Sequence, residues 1–310
     1  MKTAFLFPGQ GAQYPGMAKD FYEASGHVRD LFDQASKVTK KDLADLLFNG
    51  TEDDLKSTDN TQIAVTLANL AAAQYVTEKG ITPSATAGFS VGEYAALYTA
   101  GILSIEDLFQ AVQYRGQFME KGSRSCDSPA GPSGMTAVLG MAFEEAAPIV
   151  EALADKGVFV ANHSSPTQIV LAGTALGLSV AEEALDKAGA MKVVRLKVSG
   201  PFHSPLLEDA RKEFEQAIAT LQFHNPRIPI FSNVTGKPIQ SGEEARKLAG
   251  QQIVSTVRWV SCMGGIMELA PSQVLEVGPG KVLMGLWKSF TKELKAQAAG
   301  TLEAADSLGV

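Results

Sequence analysis

AGFSVGEYAALYTAG, residues 87–101, sets Ser90 between Gly88 and Gly92, with a short apolar strand (85–87) before it and a helical run after it. A G-x-S-x-G turn joining a strand to a helix is a nucleophile elbow, so tight that bulky side chains two residues either side of the serine would clash. The geometry exposes the serine hydroxyl at the strand end. It also puts the Val91 N–H at a helix N-terminus, where it can hold an oxyanion. Glu93 in the first turn suits the helix dipole, and Gly101 suits the position just past the helix end. The plainer alternative is a tight turn with a capping serine, but the strand and helix fall on the sides an elbow requires.

Working outward, short apolar runs alternate with longer amphipathic ones, the pattern of an α/β fold. Residues 3–7 form an expected first strand ending in the turn Pro8-Gly9-Gln10-Gly11, and 61–79 a buried helix. No lipase-type HGGG loop is present, so a second oxyanion donor would come from this glycine-rich turn, at the Gln10 N–H; an ordinary strand-to-helix turn is the alternative. Ser104 and Asp107 cap a further helix expected to reach about Lys121. GSRSCDSPAGPSG, 122–134, reads as a linker, with Cys126 an incidental loop thiol.

Beyond it the order becomes β-α-β-β-α-β: strands at 135–139, 158–161, 168–172 and 191–198, helices at 143–155 and 175–188. That order is the split βαβ or ferredoxin-like unit. The expected architecture is therefore a hydrolase-like three-layer core with a parallel sheet, formed by 1–133 and 200–310, with a ferredoxin-like subdomain, 134–199, inserted in it. After Ser199 helices are expected at 208–221, 243–252 and 263–269 and strands at 228–232 and 273–277, while the alanine- and charge-rich tail, 292–310, is expected to fray.

Composition bounds the function. The 310 residues are 45% hydrophobic, ample for a large core, and the net charge of −7 argues against nucleic acid as partner. Two cysteines make no disulfide framework, and the apolar run at the N-terminus is too short for a signal peptide. No stretch is long and apolar enough to span a bilayer, so a cytoplasmic protein is expected.

Four histidines could serve Ser90 as base. His27 lies in a polar helical stretch and His224 in a loop. His163 follows a strand of the inserted unit, as a possible supporting group. His203, in SGPFHSP (199–205), sits on a loop stiffened by two prolines at the domain junction, which suits a general base. Arg115 stands out for another reason. Ile105, Leu108, Val112, Arg115 and Met119 are spaced 3, 4, 3 and 4, so this arginine lies on a helix's apolar stripe. A guanidinium there is costly unless paired, either with a core glutamate or with a carboxylate on the acyl group.

FPGQGAQ (7–13), GFSVGEYAAL (88–97), QYRGQFM (113–119), SGPFHS (199–204) and LEVGPGKVL (275–283) together resemble malonyl-CoA:acyl carrier protein transacylases, in that family's order over nearly the whole chain. The resemblance implies the same hydrolase-like core with its inserted subdomain. It implies Ser90 and His203 as the catalytic pair, with the histidine oriented by the backbone carbonyl of Gln252. It implies Arg115 as the malonate-binding arginine and Phe202 as a bulky residue filling the space of an α-methyl. Malonyl-CoA and holo acyl carrier protein are the implied partners, with no metal or redox cofactor, a monomeric state and a role in fatty acid synthesis. A trans-acting acyltransferase for a polyketide synthase and a serine thioesterase or esterase are the alternatives. Lys187, Lys192, Arg195 and Lys197, or Arg211 and Lys212, could meet an acidic carrier. The chain departs from the family at Phe89, where histidine is usual; the phenyl ring could pack on the core or narrow the pocket.

Overall fold

A computed structural model describes residues 2–309, and two sheets organise it. β1 (Thr3–Phe7) and β2 (Pro83–Gly88) join β7 (Ile230–Phe231), β8 (Gln273–Glu276) and β9 (Ala296–Ala298) in a parallel sheet of order β7-β2-β1-β8-β9. β3 (Gly134–Leu139), β4 (Val158–Ser165), β5 (Gln168–Gly173) and β6 (Lys192–Arg195) form an antiparallel sheet of order β4-β5-β3-β6. The fold is mixed α/β, with helices on both faces of the parallel sheet, as expected where each strand is buried on two sides.

One face of the parallel sheet packs on the helix Thr58–Glu78, whose residues are buried nearly all round, and on Gly92–Thr99 and Ile105–Ser125. The other face packs on Trp259–Glu268 and Val282–Phe290, with Trp259 and Trp287 fully buried there. Side chains of the antiparallel sheet close over Phe143–Glu151 and Ala175–Lys187 in a cluster of their own. Among the described residues no helix is long and apolar enough to cross a membrane.

Several expected boundaries move. The helix capped by Ser104, whose Oγ accepts from Asp107 N at 3.1 Å, runs to Ser125, four residues into the expected linker. Ser123 and Ser125 donate back to the carbonyls of Met119 and Gly122, so their hydroxyls are satisfied within this glycine- and serine-rich helix end. The tail does not fray over its described residues. β9 pairs with β8, Thr301 caps the helix Leu302–Asp306, and Asp306 accepts from Tyr75 Oη at 2.9 Å and pairs with Lys79 at 2.8 Å. Its alanines lie against the core: Ala299 and Ala305 are buried. Between β1 and the long buried helix, Gly26–Thr39 is the polar helical stretch that carries His27, while helices Lys19–Ala24 and Leu43–Asn49 have no counterpart in the sequence expectations.

Candidate active site

β2 ends at Gly88 and the helix Gly92–Thr99 starts four residues later, so Ser90 stands at the carboxyl end of a central strand, where parallel sheets place their ligands. Ser90 has φ 54°, a left-handed backbone that costs an L-residue about 1–3 kcal/mol and persists only where its surroundings impose it. The flanking glycines show why. A Cβ on Gly88 would lie 2.0 Å from the Gly92 carbonyl group, and one on Gly92 would lie 2.2 Å from Phe7 O.

Four backbone amides at the elbow are paired. Phe89 N donates to Phe7 O, Ser90 N to Asn233 Oδ1, Gly92 N to Phe89 O and Glu93 N to Ser90 O. Among the described residues the Val91 N–H has no acceptor, and neither has the Gln10 N–H. The loop carrying Gln10 crosses close to the elbow: a Cβ on Gly9 would meet Phe89 O at 2.4 Å.

His203 reaches the serine from the loop that leaves the antiparallel sheet. Its Nε2 lies 2.7 Å from Ser90 Oγ and its Nδ1 lies 2.8 Å from the carbonyl oxygen of Gln252. A carbonyl only accepts, so Nδ1 carries the proton and Nε2 presents a lone pair to the serine hydroxyl. His203 is itself left-handed, at φ 59°, and buried. Burial and the positive charge of Arg115 push its pKa down to about 3, against the pull of the Gln252 carbonyl, so the ring stays neutral over the physiological range. Phe202 beside it is buried, and Ser204 Oγ ties the loop by donating to Pro201 O at 2.6 Å.

Arg115 is fully buried against the dyad. Nη2 donates to Gln252 Oε1 at 3.0 Å and to Ser90 Oγ at 3.3 Å, Nη1 donates to Gln62 Oε1, and the guanidinium lies 5.5 Å from the Tyr94 ring centroid. Nε has no partner, and among the described residues Arg115 forms no direct ion pair; the buried Glu93 acts on its charge without touching it. Burial lowers its pKa, but an arginine stays charged. Its hydrogen bonds all go to neutral amide oxygens and a hydroxyl, so no carboxylate occupies the fork, and a substrate carboxylate would fill it.

The remaining candidates are dispersed. His27 is exposed and paired with Glu78 at 3.0 Å, and His224 is exposed on a loop. His163 lies within β4, stacked on Phe143 at 4.4 Å between centroids. Phe89 packs edge-on against Trp259 at 5.4 Å. Of the basic residues considered for a carrier, Lys187, Arg195, Arg211 and Lys212 are each paired with a neighbouring acid; Lys192 and Lys197 have no ion pair among the described residues.

Two supporting residues, Gln62 and Asn233, went unrecognised in the sequence, and Glu93 was read there only for its place at the helix start. Gln62 links Arg115 to Gln10, donating from Nε2 to Gln10 Oε1 at 3.3 Å. Asn233 and Glu93 brace the elbow: Asn233 N donates to Glu93 Oε2 at 2.7 Å, and burial raises the Glu93 pKa to about 7. A cleft of about 470 Å³ opens beside His203, walled by Phe143, Val158 and Phe159 on one side and by Val254 and Arg258 on the other.

An elbow serine at the end of a parallel strand, with a neutral imidazole on its hydroxyl, defines the class of serine enzymes that carry an acyl group. The family model described as "Acyl transferase domain" matches residues 4–306. The chain is 36% identical over 304 residues to the malonyl CoA-acyl carrier protein transacylase of Bacillus subtilis, covering 97% of this chain and 94% of that one. Among solved structures, the acyl carrier protein S-malonyltransferase of Vibrio cholerae superposes with a TM-score of 0.94 at 33% identity, covering 100% of both chains. A malonyl-transacylase solved in complex with a holo type II PKS acyl-carrier protein gives 0.93 at 33% identity, covering 99% of this chain and 98% of that one. The chain belongs to the malonyl CoA-acyl carrier protein transacylase family, and it is an acyltransferase.

Proposed function

We propose that this protein transfers a malonyl group from malonyl-CoA to the phosphopantetheine thiol of holo acyl carrier protein, through a malonyl ester on Ser90, to supply fatty acid synthesis in the cytoplasm. The observation that carries this reading is Arg115, a buried guanidinium with no direct ion pair among the described residues, 3.3 Å from the Ser90 hydroxyl. Malonyl brings a carboxylate to that fork; acetyl brings none.

In the first half-reaction His203 Nε2 takes the proton of Ser90 Oγ as the oxygen attacks the thioester carbonyl. The N–H groups of Val91 and Gln10 hold the oxyanion, each worth roughly 10²–10³ in rate by analogy with other oxyanion donors. The Gln252 carbonyl steadies the imidazolium, and CoA leaves with the proton that His203 returns to its sulfur. The carrier's thiol then gives its proton to His203 and attacks the malonyl ester, restoring Ser90. Phe202 limits room for an α-methyl, a modest selection of about 1–3 kcal/mol. Residues 1–133 and 200–310 act as the catalytic unit of a monomer, with 134–199 as an inserted wall of the cleft. Service to a polyketide synthase is the second reading, favoured by the similarity to the transacylase solved with a type II PKS carrier.

The test is a partition experiment. With malonyl-CoA and holo carrier protein, malonyl should appear on the carrier many times faster than free malonate appears in solution. Release of malonate as the dominant product would identify a thioesterase instead.

A further inference from the structure

Ser90 keeps a left-handed backbone, and its stability there depends on what grips the turn. The Asn233 side chain grips it from both sides. Its Oδ1 accepts from Ser90 N at 2.7 Å while its Nδ2 donates to Gly88 O at 2.7 Å, so one planar amide spans the elbow from the strand end to the nucleophile. The backbone of the same residue is fixed to the helix that follows, through Asn233 N to Glu93 Oε2 at 2.7 Å. Asn233 itself is fully buried and comes from the segment just after β7, remote in sequence from the elbow.

The second link runs to the base. Gln252 Nε2 donates to Asn233 Oδ1 at 3.3 Å and to Ser90 O at 3.2 Å, while the Gln252 backbone carbonyl takes His203 Nδ1 at 2.8 Å. Nucleophile and imidazole therefore hang on one buried pair of residues, the serine on their side-chain amides and the imidazole on the Gln252 backbone carbonyl. We propose that Asn233 is a positioning residue: it fixes the Ser90 oxygen in its attack geometry and, through Gln252, holds it in register with His203. This rests on Ser90 and His203 being the reacting pair. Asn233 forms no hydrogen bond with Arg115; the two are joined only through the Gln252 side chain, whose Oε1 accepts from Arg115 Nη2 at 3.0 Å.

The experiment compares Asn233→Ala, Asn233→Asp and Ser90→Ala with the parent, in single-turnover acylation by malonyl-CoA and in labelling by an uncharged fluorophosphonate, with urea unfolding run alongside. Misplacement of a reacting atom by about 1 Å costs roughly 100-fold in rate, so Asn233→Ala should lose about that factor in kcat and in fluorophosphonate labelling alike, while KM for malonyl-CoA stays within about twofold. Asn233→Asp keeps an acceptor for Ser90 N but loses the donor to Gly88 O; it should recover part of the rate. It also carries the test if the alanine variant does not fold. A folded Asn233→Ala within about threefold of the parent in kcat, or a folded Asn233→Asp no faster than Asn233→Ala, overturns the proposal; so does parental kcat in Asn233→Asp when the alanine variant does not fold. Acylation that survives Ser90→Ala would instead overturn the nucleophile assignment beneath it.

Discussion

Ser90 and His203 share a left-handed backbone, φ 54° and 59°, but the two turns are held in different ways. The elbow is held by shape first, with the Asn233 amide bonded across it. Gly88 and Gly92 touch neighbouring backbone so closely that any side chain would force the strand and helix apart. The histidine loop is held by attachments: the Ser204 hydroxyl on Pro201 O, the imidazole on Gln252 O, and Gly200 against Ser123, where a Cβ would meet Oγ at 2.0 Å. Steric constraint of the first kind is written in five consecutive residues. The second kind depends on partners from three separate segments.

The difference can be broken by mutation. Gly92→Ala should have the largest effect, about 3 kcal/mol or more of stability, because the new methyl collides with backbone that cannot yield without moving β1. Ser204→Ala should cost only about 1 kcal/mol, the ordinary worth of one hydrogen bond. Urea unfolding of both variants measures the contrast, and equal losses would mean that the loop is as sterically fixed as the elbow.

A smaller effect sharpens the electrostatic side. His203 is held to a pKa of about 3 first by burial and then by the Arg115 charge. With acetyl-CoA as donor, which has no acyl carboxylate to titrate, the acid limb of kcat/KM should lie well below 6.5. Arg115→Ala should move it upward, towards the ordinary imidazole range. An acid limb at 6.5 in the parent would contradict the buried, neutral ring. The same shift has a signed effect on stability. The unfolded chain binds a proton on this histidine below about 6.5 and the folded chain does not until about 3, so its contribution is lost as pH falls through that window. Glu93 acts in the opposite sense: its raised pKa means the folded state holds a proton that the unfolded state releases above about 4.5, so stability falls as pH rises from there to about 7.

Legibility followed the same division. The strand, turn and helix around Ser90 could be read because glycine spacing and apolar period are local signals, and Arg115 because a charge interrupted a helical stripe. The Ser104 cap and the β-α-β-β-α-β order of the antiparallel unit were visible for the same reason. Asn233 and Gln62 were not, since an amide in a two-residue strand's wake or on an all-buried helix looks like any other until its partners are placed. β9 and the last helix were missed because three and five residues carry too little propensity alone; pairing with β8 and the Asp306 contacts stabilise them.

The central claim is that Ser90 carries a malonyl group because Arg115 holds its carboxylate. Intact-protein mass after brief exposure to an equal mixture of malonyl-CoA and acetyl-CoA tests it directly, on the parent, Ser90→Ala and Arg115→Ala. A malonyl adduct is expected on the parent and none on Ser90→Ala. On Arg115→Ala the malonyl-to-acetyl ratio should fall roughly 30-fold or more, the cost of removing one member of a buried charge pair. An unchanged ratio in Arg115→Ala, or a malonyl adduct that persists on Ser90→Ala, would contradict it.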